Sequence, residues 1–177
     1  GLYGLPIQES SAGIYYNKAI FRNAGLLSEV ANMTVDDAWT MTDFESICAR
    51  LVGKCALPVD LQLYSASDEM ATYLLYPFIL AGGGTFLSSD GMTATGYFDS
   101  AATIAAFDRL RGWVNRGYTS FNADNVGFYT GKIAMYLSSG WSIPEIRNQY
   151  TQQLGNDWGI LPYPKGDTGI AASATGS

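Results

Sequence analysis

Residues 42–63 read TDFESICARLVGKCALPVDLQL and change from one hydrophobic period to another. In the first half, apolar residues recur every three or four positions, which predicts a helix with one buried face. These residues are Phe44, Ile47, Cys48, Leu51 and Val52. Thr42 and Glu45 have the spacing of a capping box, and Gly53 ends the helix. In residues 57–63 every second residue is apolar, which predicts a half-buried strand.

Helices and strands are mixed in the same way along the rest of the chain. Strands are predicted at residues 2–7, 13–17, 133–137, 157–161 and 170–175, with a hairpin at 86–97 that turns at Asp90 and Gly91. Helices are predicted at residues 18–24, 68–81, 125–130 and 143–153, and one more begins at Asp99 or Ser100. This mixture indicates a single domain of the α/β or α+β class.

Composition excludes several classes of protein. The 177 residues are 47% apolar and 15% charged, which is typical of a folded domain. The net charge of −6 argues against a surface for nucleic acid or anionic membranes. No apolar run approaches the roughly 20 residues of a transmembrane helix, so no membrane insertion is expected. The sequence contains no His, which excludes Ser-His and Cys-His nucleophile pairs and His metal ligands.

No cofactor or metal is predicted. Residues 127–132, GFYTGK, depart from a phosphate-binding loop because one residue is missing between the glycines and Ile133 replaces the Ser or Thr that would bind magnesium. Cys48 and Cys55 cannot complete a zinc site by themselves. Two hypotheses stay open for them: a buried thiol with a loop thiol, or a local disulfide in an oxidising compartment.

Acidic residues allow a catalytic hypothesis. Glu9, Asp68, Glu69, Asp99 and Asp124 all fall at loop or helix-start positions. Two carboxylates that face each other across a glycosidic bond would make a glycoside hydrolase. The simpler interpretation is that acidic residues at helix starts complement the helix dipole.

Aromatic residues point to a neutral polyhydroxylated ligand. The chain has 12 Tyr, 8 Phe and 4 Trp, and many of them stand beside Gly, Ser or Pro. Trp141 follows Gly140 where a strand gives way to a helix, Tyr163 stands between two prolines, and Tyr73 lies on the helix before a glycine triplet. An aromatic face can stack on the C–H face of a sugar, while short polar side chains bond its hydroxyls. The alternative is that these rings only pack in the core or form a protein interface.

The order of several short motifs resembles one family. The chain contains YGLP at 3–6, YYNK at 15–18, AGL at 24–26, WT at 39–40, AGGG at 81–84, YFDS at 97–100, FYTGKIAM at 128–135, SGW at 139–141, WGILP at 158–162 and PKG at 164–166. In this order they resemble the family 1 extracellular solute-binding proteins of sugar ABC transporters, which are similar to maltose-binding protein.

The resemblance implies a fold and a domain organisation. Such proteins have two α/β lobes, each with a small mixed sheet flanked by helices in the type II periplasmic-binding-protein arrangement, and a sugar binds between them. Residues 1–7 would be the crossover into the second, C-terminal lobe, 8–173 that lobe, and 174–177 the return crossover. The two ends are then expected to lie close together, and the chain to be part of a longer protein.

The resemblance also implies a site and partners. Trp141 matches a Trp that stacks on sugar, with Gly140 before it. Asp68, Glu69 and Tyr73 fall on a helix start that faces the cleft, the polar loop with Glu9 and Ser10 should line it, and Tyr163 lies near the return crossover. The implied partners are a mono- or oligosaccharide and ABC permease subunits, and the implied location is extracytoplasmic. A glycoside hydrolase fragment and a non-catalytic interaction module remain the alternatives.

Overall fold

A mixed sheet organises the protein, and its central strand lies near the start of the chain. The computed structural model describes residues 10–65, 69–173 and 175–176. The described strands are β1 (Ser10–Asn17), β2 (Leu57–Asp60), β3 (Ile133–Ser139), β4 (Trp158–Leu161) and β5 (Thr175–Gly176). The main order is β2-β3-β1-β4, with β5 also paired to β1. β1 is antiparallel to its three partners, and only β2 and β3 run parallel among the described pairs.

Helices flank this sheet, so the predicted α/β class with a small mixed sheet is confirmed. The described α-helices are α1 (Lys18–Asn23), α2 (Leu27–Val30), α3 (Met41–Leu51), α4 (Glu69–Ala81), α5 (Ala101–Asn115), α6 (Ser142–Gln149) and α7 (Thr151–Leu154). A short 3₁₀ helix, Leu63–Ser65, lies between β2 and α4.

The period of two in β1 distributes its side chains between two apolar clusters. Ile14 and Tyr16 belong to the larger cluster, which also takes in the buried faces of α3 and α4. Tyr15 points to the other side and packs with Phe128 and Tyr136. The strand is therefore buried on both faces, as a central strand requires.

The predicted helix at residues 42–53 is present, but its cap differs. Thr40, not Thr42, is the N-cap: its Oγ1 accepts a hydrogen bond from the Asp43 backbone N–H at 3.1 Å. Asp43 completes the capping box by accepting from the Thr40 backbone N–H at 2.9 Å. Glu45 is used elsewhere, because its Oε1 accepts from Arg109 Nε at 2.6 Å and from Trp113 Nε1 at 2.7 Å.

Several predicted strands are shorter than expected. β2 ends at Asp60, because its Oδ1 accepts from the Gln62 backbone N–H at 2.7 Å and Gln62 has a φ of 56°. The hairpin at 86–97 is wrong: the turn at Asp90 and Gly91 is present, but the flanking residues form no strands. Phe86 instead packs on Tyr76 of α4, on Phe98 and on Phe107 of α5.

Three further boundaries are corrected. Residues 125–130 form hydrogen-bonded turns and not a helix. The helix predicted at 143–153 is divided into α6 and α7 at Tyr150, whose ring stacks on Tyr129 at 4.6 Å. Among the described residues of 170–175, only Thr175 belongs to a strand, and the Ile170 carbonyl accepts from the Gly166 N–H in a turn.

The two ends of the described chain meet at β1. Ser10 pairs with Gly176 and Ser11 with Thr175, so the predicted closeness of the ends is confirmed for these residues. This also corrects the polar loop predicted at residues 8–11, because Ser10 and Ser11 belong to β1. The predicted crossover at 1–7 and the strand at 2–7 lie outside the described residues, and the division into crossovers and lobe stays a prediction.

The segment after β4 is fastened to the helices. Arg109 on α5 donates to Glu45 on α3 and, through Nη1, to Asp167 at 2.9 Å. Lys165 exchanges backbone hydrogen bonds with Trp39 and Met41. The return of the chain towards β5 is thus anchored to the start of α3.

Both cysteines are free: Cys48 is buried, and Cys55 Sγ donates to the Leu51 carbonyl at 3.5 Å.

Candidate functional site

Trp141 lies just beyond the C-terminal end of β3, which is one of the two central strands of the sheet. β3 ends at Ser139, Gly140 turns the chain, and Trp141 is the N-cap residue of α6. Its side chain is 45% exposed, whereas Trp39 and Trp113 are 4% and 0% exposed. A large half-exposed ring at the junction of a buried strand and a helix is held firmly but can still be reached by a ligand.

Hydrogen bonds on both sides of Trp141 fix this turn. Tyr15 Oη donates to the Ser139 carbonyl at 2.8 Å, and burial raises the pKa of Tyr15 to about 12. On the other side, Ser138 and Ser142 place their Oγ atoms 2.7 Å apart. Tyr129 Oη lies 3.2 Å from Ser142 Oγ and donates to Glu145 at 2.8 Å. The backbone that carries Trp141 is therefore held by a network of buried hydroxyls.

Tyr73 reaches Trp141 from a different element. It lies in the second turn of α4, and its ring centroid is 6.4 Å from that of Trp141, with an interplanar angle of 35°. The structure therefore brings together two of the three aromatic residues that the sequence predicted for the site. We call Trp141 and Tyr73 the aromatic pair. Trp141 follows the end of β3 and is exposed, whereas Tyr73 lies on α4 and is half-buried.

The other predicted site residues lie around the pair to different degrees. Glu69 is exposed one helical turn before Tyr73, so both lie on the same side of α4. Gly140 is exposed and its carbonyl accepts from the Ile143 N–H at 3.2 Å. Ser10 begins β1, two residues before Ala12, which pairs with Ser139. Glu9 and Asp68 lie outside the described residues.

Tyr163 takes a different position from the one its flanking prolines indicated. It is only 5% exposed and packs edge-on against Phe78 in the larger core cluster. Its hydroxyl donates to the Leu74 carbonyl at 3.1 Å, and burial raises its pKa. Since Leu74 follows Tyr73 in α4, Tyr163 supports the helix beneath the aromatic pair. Its role as a ligand contact stays a prediction.

Tyr64 is a partly exposed aromatic residue that was not among the site residues predicted from the sequence. This residue lies in the 3₁₀ helix after β2 and is 40% exposed. Burial and the nearby Asp60 and Tyr136 raise the pKa of its phenol, and Glu145 acts in the same direction. Tyr64 therefore lies near the first turn of α6, on the Tyr136 side of β3. In the sequence, Tyr64 follows the alternating residues 57–63 and so looked like part of a half-buried strand. Because β2 ends at Asp60, Tyr64 lies in the 3₁₀ helix instead.

A separate groove of about 600 Å³ lies between the start of β1, the end of β4 and the loop before α3. Its lining is mainly apolar and includes Ala12, Val35, Leu161 and Ala172. The aromatic pair does not line it. We place the candidate site at the pair because two partly exposed rings from distant elements converge there, whereas the groove offers no carboxylate or basic side chain.

The described part of the chain shows neither a metal site nor a membrane-spanning helix. No three His, Cys, Asp or Glu side chains come together there in a way that could hold a metal ion. None of the helices in that part is long and apolar enough to cross a membrane.

Comparison with known proteins identifies the class as a solute-binding domain. The family model described as bacterial extracellular solute-binding protein matches residues 1–177. The chain therefore belongs to the bacterial extracellular solute-binding proteins. A putative binding protein of Brucella abortus (strain 2308) is 27% identical over 174 residues, which cover 94% of this chain and 39% of that protein. The chain thus spans about two fifths of the length of the curated relatives it matches.

Solved structures agree on the fold. The cyclic alpha-maltosyl-1,6-maltose binding protein from Arthrobacter globiformis superposes with a TM-score of 0.74 at 20% identity, covering 98% of this chain and 41% of that one. The sugar-binding protein MalE from Xanthomonas citri gives 0.75 at 23% identity, covering 99% and 42%. At these identities the likeness establishes the fold, which is that of one part of a solute-binding protein.

Proposed function

We propose that this chain is the carbohydrate-binding second lobe of an ABC-importer solute-binding protein, and that a mono- or oligosaccharide stacks on Trp141 and Tyr73. The observation that carries the proposal is the aromatic pair itself: two partly exposed rings 6.4 Å apart on a rigid turn and a helix. Membership of a solute-binding family and the sugar-binding proteins among the structural neighbours support it.

The proposed mechanism is capture followed by closure. A sugar stacks on this lobe, and the other lobe of the full protein folds over it by hinge motion and buries its hydroxyls. The ligand favours the closed state by the difference in its affinity for the two states. The ends that meet at β1 suit this mechanism, because crossovers that lie together can act as one hinge. Permease subunits would recognise and bind the closed form, outside the cytoplasm.

No bond is made or broken in this mechanism. The glycoside hydrolase alternative needs two carboxyl groups across one scissile bond. Family membership favours the binding protein, because the matched family and its neighbours are named for binding. Turnover of an aryl glycoside that is lost in Glu69→Gln would instead favour the enzyme.

Calorimetric titration with a panel of neutral oligosaccharides tests the proposal. We expect weak, millimolar binding by this chain, because one lobe supplies only part of the contacts, and loss of that binding in Trp141→Ala. Phe98→Ala is the matched control, since Phe98 is an aromatic residue of similar exposure, 52%, in the separate cluster between α4 and α5. Equal losses of binding in the two variants would contradict a site at Trp141. Sub-micromolar affinity of this chain for a saccharide would contradict the proposal that one lobe supplies only part of the contacts.

A further inference from the structure

The segments that build the site carry acidic residues and no basic ones. Before Lys18, between Lys54 and Arg109, and between Lys132 and Arg147 the sequence contains no Lys or Arg. These three stretches supply β1, β2, α4, β3 and the start of α6, and both residues of the aromatic pair lie within them. The segments that supply the site are therefore parts of the sequence that contain no basic residue.

Of the basic residues that bound these stretches, the three lysines lie at the ends of the strands far from Trp141. Lys18 follows the last residue of β1, Lys132 precedes the first residue of β3, and Lys54 comes before β2. Trp141 is beyond the opposite end of β3, whose seven residues separate Lys132 from the site by about 20 Å. Such a distance exceeds the Debye length at physiological ionic strength. Positive charge from these lysines is therefore largely screened at the pair.

A carboxylate accompanies each ring of the pair. Glu69 is four residues before Tyr73 on α4 and is exposed. Glu145 is four residues after Trp141 on α6, half-buried, and accepts from Tyr129 Oη. Residues four apart are neighbours on a helix surface. Each ring of the pair thus has one carboxylate four residues away in its own segment.

These carboxylates also act on the helix ends. α4 and α6 both begin at the site, and a helix N-terminus by itself attracts anions. Glu69 and Glu145 lie in the first turns of the two helices, where their charge opposes that attraction. Arg147 is exposed in the last turn of α6, about 9 Å further along the helix axis than Trp141. The local field at the pair is therefore negative.

We propose that the site selects its ligand by charge: it accepts neutral saccharides, prefers those that carry a protonated amine, and rejects those that carry a carboxylate or phosphate. An ammonium group gains both from the carboxylates and from the faces of Trp141 and Tyr73. An anionic sugar meets Glu69 and Glu145 without a described basic partner beside the pair. The inference rests on the proposed function, since it supposes that the ligand lies on the aromatic pair.

Collisional quenching of Trp141 fluorescence measures this field without any saccharide. The quenching constants of caesium, iodide and neutral acrylamide are measured on the whole chain and on Trp141→Phe, and the difference is normalised to free N-acetyltryptophanamide. We expect stronger normalised quenching by caesium than by iodide, and a smaller difference at high salt. Glu69→Gln should increase iodide quenching, whereas Asp36→Asn, an exposed carboxylate in the loop before α3, should not. Iodide quenching equal to or above that of caesium overturns the inference.

Binding of three matched monosaccharides completes the test. Glucosamine, methyl glucoside and glucuronate are titrated against the chain, and we expect affinity to fall several-fold at each step in that order. Glu69→Gln should compress the series. Glucuronate binding as tightly as glucosamine overturns the charge inference. If neither these monosaccharides nor any neutral oligosaccharide binds while the caesium preference persists, the proposed function fails and the negative field at Trp141 stands.

Discussion

Asp60 shows at the scale of one residue how the structure creates a pH dependence. It ends β2 with 1% of its surface exposed, and its carboxylate accepts from the Gln62 backbone N–H. Burial raises its pKa from 3.8 to about 6. The folded protein therefore binds a proton at Asp60 more tightly than the unfolded chain, so this group favours folding at low pH. That contribution is lost as the pH rises through about 4 to 6.

Asp60→Asn is expected to remove this dependence. Relative to the wild type, the variant should gain about 2–3 kcal/mol in free energy of unfolding between pH 4 and pH 7, because a two-unit shift corresponds to that amount. Urea unfolding at a series of pH values measures the difference. Asp36→Asn is the control and should follow the wild type at every pH. If Asp60→Asn also follows the wild type, the carboxylate titrates as an exposed one.

Helix α3 shows how a local rule can be satisfied in two ways. Thr40 with Asp43 and Thr42 with Glu45 have the same spacing, so either pair could form a capping box. The choice depends on tertiary contacts, since Glu45 is needed by Arg109 and Trp113 on α5. No periodicity in residues 42–53 contains that information.

Thr40→Ala is expected to destabilise the protein by about 1 kcal/mol, because the Asp43 N–H loses its partner at the helix start. Thr42→Ala should cost clearly less, because its Oγ1 makes only a long contact of 3.5 Å with Arg109. Thermal or urea unfolding of both variants compares them directly. A larger loss in Thr42→Ala would restore the cap that the sequence favoured.

At the scale of the whole molecule, the sequence predicts the fold class and the aromatic pair but not how the pair is supported. Trp141 stands between Gly140 and Ser142 at the junction of β3 and α6, and Tyr73 lies on the helix that ends before the glycine triplet. Tyr64 and Tyr163 depend on long-range packing: one is exposed because β2 stops early, and the other is buried because it reaches the Leu74 carbonyl. Residues 86–97 likewise follow their aromatic contacts with α4 and α5 and not their own alternation.

The central claim is that a saccharide binds on Trp141 and Tyr73, and the indole N–H signals of the four tryptophans test it most directly. In two-dimensional NMR spectra, titration with maltotriose and other neutral oligosaccharides should shift the Trp141 indole signal, with millimolar affinity. The signals of the buried Trp39 and Trp113 should stay in place. The account is contradicted if no saccharide of the panel moves the Trp141 indole signal. It is also contradicted if the signals that shift are instead those of the backbone amides around Phe98.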